Sequence, residues 1–304
     1  MEFSIIIATH ARPHQLSQCL ESLTRLDFPS NQFEVIVVDD ESDPPIEAVA
    51  LQFADRLNLT CVAQKRGGPA RARNTGMERA RGQYLCFTDD DCKPAPNWLH
   101  AIAERIKLTP SAMVGGYVVN GLTTNLFSTT SQLLQDYLYE YYHLQHRSGG
   151  FFTSNNMVVS RQQFTEIKGF DDVNFFRSAG EDREVSHRWE RHGFQMVYAP
   201  EAIIYHYHQL TFSQFWRQHF QYGRGAFRYH RVRSNLNLQR IRVEPPIFYL
   251  KLVFYPFTRV PLSRACVLTL LLFVTQMANA AGFFAETRRK SSQSGIRSQE
   301  SGVH

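Results

Sequence analysis

The sequence predicts an α/β fold, an open and mostly parallel central sheet flanked by helices, with apolar helices after it. Three observations carry that reading. Residues 3 to about 110 alternate short apolar runs with stretches of helical period. The runs are apolar throughout rather than at every second residue, as in strands covered on both faces. Two of them end in packed carboxylates, Asp39-Asp40 and Asp89-Asp90-Asp91, and open α/β sheets bind ligands beyond the carboxyl ends of their strands.

The elements follow in order. Residues 3–9 form a buried strand, and a loop with Pro13 leads into a helix over 14–26 with Leu16, Leu20 and Leu23 on one face. Residues 33–38 are a second strand ending at Asp39-Asp40. Residues 45–57 read as helix, 59–63 as strand, 69–81 as helix, 84–88 as the strand ending on the three aspartates, and 98–108 as helix. From 111 to 210 the pattern is mixed, with strands at 113–119, 157–160, 195–199 and 202–206 and helices at 131–146 and 182–192. Residues 246–260 are apolar and aromatic, and 265–284 carry no charge over a length that could span a bilayer. Thr269, Thr275, Gln276 and Asn279 make it a weak span, and basic residues on both flanks set no orientation. The implied organisation is a sheet domain over 1–230, an apolar helical region over 231–290 associated with a membrane, and a polar, disordered tail over 291–304.

Composition narrows the class. With 304 residues, 43% hydrophobic and 20% charged, the chain can bury a core without disulfides. Five cysteines with no Cys-x-x-Cys pair argue against a disulfide framework or a zinc site and fit a reducing cytosol. The apolar start at Ile5-Ile6-Ile7 is too short for a secretory signal. A net charge of +5 suits a phosphorylated ligand, a nucleic acid or an anionic membrane surface.

Several constellations could carry chemistry, each beside a plainer reading. Three adjacent aspartates repel one another unless a hard cation such as Mg²⁺ or Mn²⁺ neutralises them, and the alternative is a solvated acidic turn. Asp39-Asp40 could accept hydrogen bonds from a base or ribose, or cap a turn. Residues 67–76 join a glycine turn, a proline at a helix start and the arginines Arg71 and Arg73, which suits an anion or only a basic surface helix. Gly149-Gly150 through Asn155-Asn156 is a ligand-approach loop or a plain one. Glu181-Asp182 at a helix start supplies a general base, or merely complements the helix dipole. His206 and His208 share one face of a strand, so one of them, taken as His208, could complete a metal site, or both could be structural.

Taken in order, these segments resemble the family 2 glycosyltransferases. Residues 4–12, with Thr9 and Arg12, look like the family's first strand and nucleotide-binding loop, and Val37-Val38-Asp39-Asp40 like its second. Arg71 to Gly76 is similar to its nucleotide-contacting helix, Asp89-Asp90-Asp91 to its Asp-x-Asp motif, residues 149–156 to its acceptor loop, and Glu181-Asp182 to its catalytic pair. The resemblance implies a GT-A fold, whose sheet is Rossmann-like, and inverting transfer of one sugar from a nucleotide-diphosphate sugar. Under it Asp39 meets the base, Asp89 and Asp91 hold Mg²⁺ or Mn²⁺ and the diphosphate, Asp182 is the base, and Arg224 adds charge near the phosphates. Asp90 is expected to point away and tolerate substitution. The Gln-x-x-Arg-Trp signature of processive synthases is missing, with Arg217 to Gly225 in its place. The implied partners are a glycan or lipid-linked acceptor and the cytoplasmic face of a membrane, with no nucleic acid. A sugar-phosphate nucleotidyltransferase and a non-catalytic scaffold are the alternatives. The former would favour a glycine-rich loop after the first strand, and the latter the loss of Asp91 or Asp182.

Overall fold

The computed structural model describes residues 1–144, 150–175, 179–235 and 244–300. It forms two compact units. One, built from Met1–Thr123, Leu138–Arg177 and Glu181–His208, contains the sheet, and the other, from Thr124–Tyr137, Ser178–Gly180 and Gln209–His304, is helical. The changeover therefore falls at His208, where the sequence pattern suggests 230, and residues 124–137 group with the C-terminal helices.

The sheet has eight strands: β1 (Phe3–Thr9), β2 (Phe33–Asp40), β3 (Leu59–Gln64), β4 (Tyr84–Asp89), β5 (Cys92–Pro94), β6 (Met113–Asn120), β7 (Met157–Ser160) and β8 (Met196–His206), in spatial order β3-β2-β1-β4-β7-β6-β8-β5. β1 to β4 are parallel, as the alternating pattern requires. β7 runs antiparallel to β4 and β6, β5 antiparallel to β8, and β6 parallel to β8. The parallel expectation thus holds for the first half, while the second half is mixed. The two strands expected at 195–199 and 202–206 are one: its pairing with β6 jumps from Gly116↔Ala199 to Tyr117↔Ile203, so Pro200 sits in a bulge where its missing N–H costs nothing.

The helices are α1 (Pro13–Leu23), α2 (Glu47–Leu51), α3 (Pro69–Arg79), α4 (Trp98–Leu108), α5 (Leu126–Tyr139, continued by a π-turn at Glu140–Leu144), α6 (Arg161–Glu166), α7 (Glu181–Arg191), α8 (Phe212–Asn235), α9 (Pro246–Phe254, followed by a 3₁₀ turn at Tyr255–Thr258) and α10 (Leu262–Glu300). α2 is shorter than its pattern suggests, because amides 52–54 step back three residues instead of four.

Strand alternation separates two cores. Ile5, Ile7, Val35, Val37 and Cys86 pack with Leu16, Leu20 and Leu23 of α1 and with Trp98, Leu99, Ile102 and Ile106 of α4. Ile6, Ile36, Val38, Leu85 and Phe87 pack on the other face with Ala70 and Ala72 of α3 and Val185 and Trp189 of α7. The chain leaves β1 toward β2 and β3 on one side and returns to β4 on the other. The carboxyl ends of β1 and β4 therefore flank a topological switch point, the preferred ligand position of such sheets.

Asp40 fixes the approach to α3. Its Oδ1 accepts from Gly67 N (2.6 Å) and Gln64 Nε2 (2.8 Å), and its Oδ2 from Gly68 N (2.8 Å). Gly68 has φ +82°, a conformation that favours glycine.

In the helical unit α8 and α10 meet backbone to backbone. A Cβ on Gly223 would lie 1.9 Å from the Asn279 carbonyl oxygen, and one on Gly282 2.0 Å from that of Phe220. Glu286 of α10 accepts from Nε of Arg224 (2.7 Å) and of Arg228 (2.9 Å) on α8. Among the described residues, one helical stretch, Leu262–Arg289, is long and apolar enough to cross a membrane. The helix goes on to Glu300, into the polar stretch whose composition predicts a disordered tail.

Replacing Asp40 with Ala strands two buried amides, and we expect a loss of about 2–4 kcal/mol. The urea midpoint should fall with an unchanged m-value.

Candidate active site

The switch point gathers five acids and three basic groups from strands, helices and the loops between them. The Thr9 hydroxyl, at the end of β1, donates to Asp90 Oδ2 (2.7 Å). Arg12, at the N-cap of α1, donates from Nη1 to Asp90 Oδ1 (3.0 Å) and Asp91 Oδ2 (3.1 Å). The other oxygen of Asp91 lies 3.2 Å from His206 Nε2. β5 enforces that contact: Cys92 pairs with His206, and Tyr207 N donates to the Asp91 carbonyl (2.8 Å). A three-residue strand containing proline gives no periodic signal, so sequence reasoning does not find it.

Asp89 is tied to a different cation. Arg73, 4% exposed, donates from Nη2 to Asp89 Oδ1 (2.8 Å) and from Nη1 to Glu181 Oε1 (3.1 Å). Glu181 Oε2 is buried with no hydrogen-bond partner. The guanidinium thus joins the strand-end aspartates to the first residue of α7, and Asp182 follows directly. Sequence reasoning favours Arg71 for the ligand, but Arg71 is exposed and Arg73 is the arginine at the cluster. The signal was available: Ala70, Arg73 and Gly76 recur at a spacing of three along the buried face of α3.

Burial and charge set the protonation states. Asp90 is pushed up to about 6 by burial, against the pull of Arg12. Burial would also raise Asp91, but the charge and hydrogen bond of His206, with Arg12 behind them, hold it well below the ordinary carboxylate range. Burial would lower His206, yet Asp91 raises it, whereas burial and the neighbouring imidazolium push His208 down to about 4. Burial, then the adjacent Asp182 charge, lifts Glu181 to about 7, and burial raises Asp182. A carboxylate with a raised pKa is a stronger base, suited to taking a proton from a hydroxyl.

The donors fit a divalent cation. Ligand atoms of Asp91, Cys92 and His206 lie within 4.8 Å of one another. Burial drives the Cys92 pKa far up, keeping it a neutral thiol. That leaves carboxylate oxygens and an imidazole nitrogen, a set suited to Mn²⁺ or Mg²⁺. His206 is the histidine at the aspartate, and His208 stacks on it with ring centroids 5.0 Å apart.

Other expected residues make internal contacts. Both oxygens of Asp39 accept local amides, Ser42 N (2.9 Å) and Ile46 N (3.1 Å), which is the capping reading. Asn156 donates both amide hydrogens to the carbonyls of Tyr117 (3.0 Å) and Ala202 (2.9 Å), and accepts from Trp98 Nε1 (3.0 Å). Only 1% exposed, it staples the β6–β8 bulge. Asn155 accepts from the Thr153 hydroxyl (2.8 Å), and Gly150 sits against His143 and Tyr142. Gly149 lies outside the described residues. Arg224 belongs to the helical unit, paired with Glu286. Asp90 is buried between Thr9 and Arg12, so it does not point away as expected.

Known proteins resemble this chain. The family model described as glycosyl transferase family 2 matches residues 4–167. The chain is 35% identical over 118 residues to the glycosyltransferase AglE of Haloferax volcanii, covering 38% of each chain. It is 34% identical over 93 residues to the poly(ribitol-phosphate) β-N-acetylglucosaminyltransferase TarS of Staphylococcus aureus, covering 30% of this chain and 16% of that one. These matches span well under two thirds of either relative's length. Among solved structures, the mannosyltransferase PcManGT of Pyrobaculum calidifontis, in complex with GDP-Man and Mn²⁺, superposes with a TM-score of 0.62 at 14% identity, covering 91% of this chain and 86% of that one. TarS residues 1–349 with UDP-GlcNAc give 0.53 at 18% identity, covering 97% and 92%. At such identities the likeness is one of fold.

Two outcomes follow from the geometry. Asp90→Ala should cost about 1–2 kcal/mol in denaturant unfolding rather than being tolerated. His206, with its pKa raised, adds stability that is complete below the ordinary imidazole value of about 6.5 and lost as pH rises through the raised one. Asp91, with its pKa lowered, adds stability above about 4 that is lost in acid. In EDTA, the margin of the native protein over His206→Gln should be widest near about pH 5–6 and narrower above about pH 8.

Proposed function

The chain belongs to glycosyl transferase family 2, and on that premise we propose that it is an inverting glycosyltransferase. It moves one sugar from a nucleotide-diphosphate sugar to a hydroxyl of a glycan or lipid-linked acceptor, at the cytoplasmic face of a membrane. The observation that carries this reading is the Arg73 bridge. One buried guanidinium holds Asp89, on the diphosphate side, and Glu181, beside the base, in a single cluster.

Asp182 takes the proton of the acceptor hydroxyl. The oxygen attacks the anomeric carbon from the face opposite the diphosphate, the bond from that carbon to the phosphate oxygen breaks, and nucleoside diphosphate leaves. Asp91 and His206, with Asp89, would hold Mg²⁺ or Mn²⁺, which when bound supplies positive charge for the leaving diphosphate. His206, with Arg12 behind it, keeps Asp91 ionised, and Arg12 orients it. Arg73 sets the separation between the two ends of the site. Burial raises the pKa of Asp182 and so strengthens it as a base.

The test is release of nucleoside diphosphate from a panel of nucleotide sugars with and without acceptor. Asp182→Asn should lower kcat by about 10²–10⁴ while donor binding, read by saturation-transfer NMR, persists. EDTA should abolish turnover, with Mn²⁺ or Mg²⁺ restoring it. Because the pKa of Asp182 is raised, the rate should fall on the acid side at a pH above the ordinary carboxylate range. Near-normal turnover by Asp182→Asn would remove the base assignment, and pyrophosphate release from a sugar phosphate with a nucleoside triphosphate would replace the reaction class.

A further inference from the structure

We propose that α10 lies in the plane of an anionic membrane surface, held by its outward apolar stripe, and does not span the bilayer. This deepens the membrane-face reading above and rests on it.

The two faces of α10 differ along its length. Ala265, Leu268, Leu272, Thr275, Ala278, Gly282 and Glu286 are buried, at steps of three and four. On the opposite face Leu262 (71% exposed), Leu270 (63%), Phe273 (55%), Met277 (50%) and Phe284 (62%) recur at the same period. Eleven of the twenty exposed large apolar side chains among the described residues fall between Ile247 and Phe284. Soluble monomers rarely concentrate apolar surface in this way.

Charge identifies the occupant. Between Glu244 and Glu286 there is no acidic residue, while Lys251, Arg259 and Arg264 lie within that interval and Arg288 and Arg289 just beyond it. An apolar face bordered by basic residues with no acid between them matches a bilayer whose headgroups are anionic. A second copy of the same face would bring like charges together.

The buried face excludes a span. It is committed to α8, whose backbone it touches at Gly223 and Gly282 and whose Arg224 and Arg228 it binds through Glu286. α8 also carries Arg217 and Arg231 at its surface. Taking α10 through the bilayer would carry these charges into hydrocarbon or tear α10 from α8.

The experiment is flotation of the full chain with phosphatidylcholine vesicles containing about one third phosphatidylglycerol, and with phosphatidylcholine alone. The protein should float with the anionic vesicles, bind the neutral ones about tenfold more weakly, and be stripped by alkaline carbonate. Leu270→Glu with Phe273→Glu should weaken binding at least about tenfold, whereas Leu108→Glu, an exposed apolar position in the sheet unit, should not. Circular dichroism checks that each variant is folded. Retention through carbonate would mean a span and overturn the in-plane inference alone. No flotation with either vesicle would overturn the membrane-face reading together with it, and dimerisation in light scattering would then identify a second copy as the occupant. Donor hydrolysis in the same preparations separates either failure from failure of the transferase reading.

Discussion

A buried guanidinium between two carboxylates is the constraint on which the site depends. Arg73 is bound to Asp89 and Glu181 and keeps an unpaired Nε in a buried setting. Its partners come from a strand end and a helix start 92 residues apart, so this side chain fixes where α7 begins relative to β4. Around it, five acids face Arg12, Arg73 and His206. The cations do not balance the acids, and the elevated pKa values of Asp90, Glu181 and Asp182 express the remaining repulsion and desolvation. Excess negative charge therefore lies at one end of the cluster, and carboxyls with raised pKa values at the other.

The parallel half of the sheet is legible because local pattern and tertiary context agree there. Continuous apolar runs mean burial on both faces, and β1, β2 and β4 have it. The second half is harder to read because its determinants are distant. β5 exists only because β8 is beside it, and β8 passes through Pro200 only because β6 accommodates a bulge. The site follows the same division. The strand-end aspartates and Glu181-Asp182 can be found by position, but that Arg73 meets Asp89 and His206 meets Asp91 depends on which way a side chain points. Asn156 shows the limit of reading loops: a small polar residue in a glycine-led run looks ready for a ligand, yet its amide is consumed by three partners.

The helical unit follows different rules. α8 and α10 approach closely through glycines and are tied by one glutamate to two arginines, so polar interactions lie where they pack together. Apolar residues lie on both faces of α10, inward at Leu268 and Leu272 and outward at Leu270 and Phe273, unlike the one-sided stripe of an ordinary soluble helix. Hydropathy along the chain registers the apolar content of α10 but not which face is covered, because that is a property of the two helices together.

The contact between Asp91 and His206 has a kinetic consequence. The two residues are 115 positions apart and are brought together through a three-residue strand. Closing a loop of that length costs about 4 kcal/mol of chain entropy, which the three-residue β5 cannot offset without the rest of the sheet. A nascent chain ending before β8 can carry the nucleotide-side loops but not this pair. The site's acid–imidazole clamp therefore needs β8 in place, and its presence reports that the sheet has closed through β5.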